Sequence, residues 1–149
     1  MIVGFSFTKI NAEKLSLIKG KIDINNNVTI KNVEQADFSL GKKKQDALKF
    51  IFEFASKYEP SIGSISFEGE IIYVSEPKST KEILDAWSKE KKIEKDLMAS
   101  ILNTILTKCN VQALILSQEI NLPPPIPMPK VNISAPSGNT VNNEKGYIG

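Results

Sequence analysis

Leu48-Lys49-Phe50-Ile51-Phe52-Glu53-Phe54 is the stretch on which the reading of the fold turns. Leu48, Phe50, Phe52 and Phe54 recur with a period of two, and Lys49 and Glu53 fall between them. An extended segment with that pattern has one apolar and one charged face. Each phenylalanine can bury about 150–250 Å², so this strand is expected at the centre of the core. On its C-terminal side, Glu59-Pro60-Ser61-Ile62-Gly63 has the chemistry of a turn. Ser64 to Val74 then alternates again, with Ile65, Phe67, Ile71 and Tyr73 on one face and Gly69 where that face needs a small residue or a bulge. The two stretches are expected to form an antiparallel hairpin.

On the N-terminal side, Gly41-Lys42-Lys43-Lys44 reads as a solvated turn. Before it, Ile22, Ile24, Val28 and Ile30 share one parity, and the pattern then slips so that Val33 takes the apolar place. The slip predicts a bulge or a strand break near Lys31-Asn32. Val3, Phe5 and Phe7 alternate with Gly4, Ser6 and Thr8 and predict a further strand. Asn11 to Gly20 is too long for a tight hairpin and carries Leu15, Leu17 and Ile18, so this connection is expected to pack across the sheet.

After Glu76-Pro77 the period changes to 3.6. Ser79 with Glu82 fits a capping box, which predicts a short helix to about Lys92 that buries Ile83, Leu84 and Trp87. A long helix is expected over Glu94 to Ile120, with Leu97, Ile101, Ile105, Cys109 and Ala113 on its main stripe. At 1.5 Å per residue it would be about 40 Å long, more than the width of four strands spaced about 4.8 Å apart. Val111, Leu114 and Ile115 lie off the stripe, as a helix covered on two sides requires, so part of it is expected to serve another subunit. Asn121-Leu122-Pro123-Pro124-Pro125-Ile126-Pro127-Met128-Pro129 ends the helix, because prolines lack a donor and hold φ near −65°. This polyproline-like strap, residues 121–130, is either a ligand for a partner's aromatic groove or docked on the protein's own sheet or a sister subunit; the second is expected. Residues 1–133 form one α+β domain on this reading. Residues 134–149, rich in Asn, Gly, Ser and Pro, are expected to be a disordered tail.

Composition narrows the chemistry. The 149 residues include no His, one Cys and 19 Lys with no Arg. A Ser-His-Asp triad, a Cys-His pair, a His-ligated metal and an internal disulfide are therefore all excluded within this chain. A net charge of +2 is too mild to argue for nucleic acid by long-range field. The abundance of Ile (20), Lys (19) and Asn (12) is what an AT-rich coding sequence produces, and that accounts for the missing Arg. Met1 to Lys9 lacks the continuous apolar run of a signal peptide, and no apolar run approaches the ~20 residues of a membrane span. A cytoplasmic protein without membrane insertion is expected, its thiol reduced. There is no phosphate-cradling loop, dinucleotide fingerprint or nucleophile elbow. Glu68 and Glu70 share a strand face and read as surface charges, and Cys109 reads as a small core hydrophobe. No catalytic residue, metal or cofactor is expected.

The order of parts resembles the SecB export chaperone family: four strands, a short helix, a long helix and a proline-containing apolar segment. Phe7-Thr8-Lys9-Ile10 and the loop after it resemble that family's first strand and crossover. Leu48 to Glu59 is similar to its strand ending in a Glu-containing turn. Phe67-Glu68-Gly69-Glu70-Ile71-Ile72-Tyr73-Val74 resembles the strand that follows. Ile101 to Asn121 resembles the long helix, running into Ile120-Asn121-Leu122-Pro123 where the family has an Asn-Leu step and then proline. The resemblance spans residues 1–133 and implies a SecB-like fold in a divergent, archaeal-type member. It also implies a homo-oligomer, a dimer or a tetramer built as a dimer of dimers, that holds unfolded or nascent polypeptide without ATP. The family is strongly acidic where this chain is slightly basic, so docking to an export motor does not carry over with the fold. Ile22, Ile24, Val28 and Ile30, with Leu122, Ile126 and Met128 on the strap, are the expected peptide-binding residues. The alternative is an accessory subunit of a larger assembly such as the ribosome, touching RNA through its lysines and tail.

Overall fold

The computed structural model describes residues 1–129. The expected tail, 134–149, and the end of the strap and domain, 130–133, lie outside the described residues. Four strands, β1 (Ile2–Lys14), β2 (Asp23–Leu40), β3 (Lys43–Glu59) and β4 (Gly63–Val74), precede two helices, α1 (Pro77–Glu90) and α2 (Lys95–Glu119). The strands form one antiparallel sheet in the order β1-β4-β3-β2, so β3 and β4 are interior while β1 and β2 are edges. This is the α+β architecture expected from the alternating and then helical periods.

The apolar face of β3 explains why it is central. Leu48, Phe50, Phe52 and Phe54 are all buried. Phe54 stacks on Phe67 of β4 at 5.6 Å, and Phe52 stacks on Phe5 of β1 at 5.3 Å, so the aromatic layer crosses three strands. Gly69 sits opposite Phe7 and Phe52 in the register. A Cβ built there would stand 2.5 Å from Phe52 Cζ and 2.5 Å from the Ser6 carbonyl oxygen, so glycine is required by close approach. In β2 the register shifts between Ile30 and Asn32, which makes Lys31 the extra residue of a bulge and returns Val33 to the buried face.

Three expectations are corrected. The connection after β1 begins later, because Asn11 to Lys14 continue the strand and pair with Ser66 to Gly63 of β4. It is fastened by its backbone, the amides of Leu15 and Ser16 donating to the Ile62 carbonyl at 2.8 and 3.4 Å. Leu15 and Leu17 point to solvent, 60% and 74% exposed, where packing across the sheet was expected. The β2–β3 hairpin is longer than expected, extending to Leu40 and turning at Gly41-Lys42, with Gly41 at φ 67°. The Ser79-Glu82 capping box does not form. Helix α1 begins at Pro77 with Glu76 as N-cap and no side-chain cap bond. Proline pre-sets the first helical φ and has no amide to satisfy, so the helix starts two residues upstream of the hydroxyl.

Helix α2 seats Leu97, Ile101, Ile105, Cys109, Ala113 and Ser117 against the sheet at steps of four. Beyond it the chain turns back and closes the core, with Leu122 only 5% exposed and packed in the same cluster.

Candidate peptide-binding surface

Edge strand β2 is the natural starting point, since its outer backbone donors and acceptors have no strand partner among the described residues. Ile24, Val28 and Ile30 lie on its inner face, registered to Tyr58, Phe54 and Phe52 of β3, and Ile22 precedes the strand. All four isoleucine and valine side chains are half-buried and pack against the core, which leaves one flank of each toward the edge.

Two crossings bound this row. At one end, the strap from Asn121 to Pro129 runs across the ends of the strands. Leu122 sits over Gly63 of β4, the Tyr58 hydroxyl of β3 donates to the Pro123 carbonyl at 2.6 Å, and Asn26 Nδ2 of β2 donates to the Pro125 carbonyl at 2.9 Å. Asn26 Oδ1 in turn accepts from the Ser56 hydroxyl at 2.5 Å. The expectation of a strap docked on the protein's own sheet is met in this protomer. At the other end, Trp87 of α1 donates from Nε1 to Asn32 Oδ1 at 3.2 Å, beside the bulge, and Lys91 Nζ lies 5.1 Å from the Trp87 ring centroid. Val28 and Ile30 occupy the interval between Asn26 under the strap and Asn32 under α1.

The residues expected on the strap divide by role. Leu122 is buried and serves the protomer's own core, Ile126 is half-buried, and Met128 is exposed beyond the sheet. Asn26, Ser56 and Tyr58 are the residues that sequence reasoning missed. The available signal was polar groups at apolar parity, Asn26 between Ile24 and Val28, and Ser56 and Tyr58 continuing the face of Phe54.

The opposite face of the sheet is a charged surface. Lys49 pairs with Glu70 at 3.5 Å and Lys31 with Glu53 at 3.4 Å, so Glu70 is half of an ion pair. Partly exposed pairs of this kind contribute about 0–1 kcal/mol. A further apolar surface lies on α2. Val111 and Ile115 are 59% and 47% exposed on the side facing away from Ala113. Helix α2 is long and apolar enough to cross a membrane by length and composition, yet its buried stripe is seated on the sheet.

Solved structures contain the same arrangement. The structure of the Mycobacterium tuberculosis Rv1957 SecB-like chaperone, in complex with a ChAD peptide from the Rv1956 HigA1 antitoxin, superposes with a TM-score of 0.50 at 14% identity. The match covers 83% of this chain and 84% of that one. The fold is SecB-like. No protein-family model matches the chain, and no curated protein matches it by sequence. At 14% identity the likeness is one of fold, carried by the strand order and the two helices, and the residues that line the SecB-like edge here are this chain's own.

Burial sets the protonation of two groups in this SecB-like core. It pushes the Tyr58 hydroxyl up from 10 to about 12 and the Cys109 thiol up from 9 to about 12. Tyr58 therefore remains a donor to the strap, and Cys109 stays a neutral thiol. Both groups bind their proton more tightly folded than unfolded. Their contribution to stability is complete below about pH 9 and is lost as the pH rises toward about 12. The urea midpoint is expected to fall above about pH 9. Cys109→Ala should flatten the part of the fall that begins near pH 9.

Proposed function

We propose that this protein is a non-enzymatic holdase chaperone that binds extended apolar segments of unfolded or nascent polypeptide, without cofactor or nucleotide, in the cytoplasm. The observation that carries the reading is the half-buried row Ile24, Val28 and Ile30 on the unpaired edge of β2. An extended client can add main-chain hydrogen bonds to that edge and lay alternate side chains on the row, which gives affinity with little dependence on sequence. A SecB-like chaperone of the same fold holding a peptide supports the reading. Ile22, just before β2, and Ile126 and Met128 on the strap are the further residues of the proposed surface. A role in export is the corresponding cellular setting.

The outward face of α2 completes the proposal. Val111 and Ile115 are too exposed for a protomer that works alone, and no Asp, Glu or Lys occurs from Cys109 to Gln118, so two copies can meet there without like-charge repulsion. A self-complementary contact of this kind produces a dimer, and two such dimers a tetramer.

Aggregation of a chemically unfolded client, followed by light scattering, tests the function directly. Equimolar protomer is expected to suppress the scattering with no nucleotide present, and sedimentation should return a multiple of 16.5 kDa. A monomer that leaves the scattering unchanged at equimolar and higher amounts overturns the reading.

A further inference from the structure

The strap is held in a way that says what else can be held there. From Pro123 onward it makes two described hydrogen bonds to the sheet, both to its carbonyls: Tyr58 Oη to Pro123 and Asn26 Nδ2 to Pro125. The accepting carbonyls are two residues apart on the strap. The strap enters no strand ladder and, among the described residues, no ion pair. Leu122 is anchored separately, by burial and by its own amide donating to the Ser117 carbonyl at 2.9 Å. The strap can thus lift from Pro123 onward while the core stays closed.

We propose that Tyr58 Oη and Asn26 Nδ2 form a binding site for extended, proline-containing polypeptide segments, and that residues 123–126 are its resident, displaceable occupant. This rests on the holdase reading and names a class of segment that the β2 edge alone cannot take. A ladder on β2 needs amide donors from the client, which proline lacks. The Tyr58–Asn26 pair reads acceptors only, and every residue, proline included, supplies a carbonyl. The Tyr58 hydroxyl gives its hydrogen bond to Pro123 while the strap covers it, and the Ser56 hydroxyl donates to Asn26 Oδ1 from below, so Asn26 stays oriented when the strap lifts. The site gains when a new chain replaces the strap, because that chain restores a carbonyl acceptor and covers the Tyr58 ring again. Its place beside Val28 lets a client continue from the proline-tolerant cradle onto the apolar row.

The test uses full-length protein and a labelled synthetic peptide with the sequence of residues 121–129. Pro125→Asp places a charge where Pro125 is buried, which ejects the strap and leaves Tyr58 and Asn26 intact. The peptide is expected to bind this variant at least tenfold more tightly than the wild type. Adding Tyr58→Phe or Asn26→Ala to the variant should reverse about tenfold of the gain, the value of one to two hydrogen bonds. Equal binding by the wild type and the Pro125→Asp variant, or a gain insensitive to Tyr58 and Asn26, overturns the proposal. Should Pro125→Asp fail to fold, the Asn26 side-chain amide resonances of the wild type decide: they shift with excess peptide, or the proposal is wrong. Peptide binding without suppression of aggregation would sink the holdase reading alone, and suppression without peptide binding would sink the cradle alone.

Discussion

Gly69→Val is expected to cost this protein more than about 3 kcal/mol of stability. The Cβ it adds would stand 2.5 Å from Phe52 Cζ, 2.8 Å from Phe52 Cε1 and 2.5 Å from the carbonyl oxygen of Ser6. Phe52 has no free space to yield, being fully buried and stacked on Phe5. The Ser6 carbonyl is backbone, held in the β1–β4 ladder next to the register shift between Phe7 and Lys9. Either the aromatic layer is displaced or β1 separates from β4. Overpacking of this kind costs about 1–3 kcal/mol and the loss of pairing adds to it, against a total stability of about 5–15 kcal/mol. Gly69→Ala should lower stability by at least about 1 kcal/mol by the same contact. Urea denaturation followed by circular dichroism measures both. A wild-type midpoint for Gly69→Ala would mean that Phe52 is loosely held and that the small residue is not what keeps three strands in register.

Why some of this was legible and some not follows from what each signal depends on. The Phe50, Phe52 and Phe54 alternation and the Ile30 to Val33 slip are local patterns that report directly on which side chains face inward. The helix start at Pro77 was misplaced because Ser79 and Glu82 have the right spacing for a box, but proline's fixed φ acts first along the chain. Leu15 and Leu17 were expected to pack because apolar residues in a connection need cover. The backbone amides of Leu15 and Ser16 found the Ile62 carbonyl instead, a long-range contact that composition cannot register. The strap's docking was inferred from the need to hide Leu122, yet the groups that dock it lie 65 and 99 residues away, at Tyr58 and Asn26. The β2 row was visible as a stripe; its bounds were not, because they are set by Trp87 meeting Asn32 and by the strap meeting Asn26.

On the holdase reading, Ile30→Asp should lose client holding while Thr29→Asp, its neighbour on the same strand, should keep it. The pair isolates the face, since Ile30 shares the inner side of β2 with Val28 and pairs with buried Phe52, whereas Thr29 is exposed and pairs with Glu53. A client laid along the edge would cover the flank of Ile30 that the core leaves open and gain about half of the 1.5–3 kcal/mol of a fully buried aliphatic side chain, which corresponds to about 3- to 12-fold in affinity. Aspartate forfeits that gain and adds the cost of desolvating a carboxylate, so the loss should lie at the upper end or beyond. Thr29→Asp carries the same charge and the same low β propensity on the solvated face, where the client makes no apolar contact. Because Ile30 also packs on the protomer's core, its variant is expected to be less stable, and the comparison is made well below its unfolding midpoint. Fluorescence anisotropy of a labelled unfolded client reads both affinities on one scale. Equal affinities for the two variants would show that the inner row of β2 is not where the client lies, and the exposed apolar groups of the crossover loop, Leu15 and Leu17, would then be the surface left to carry it.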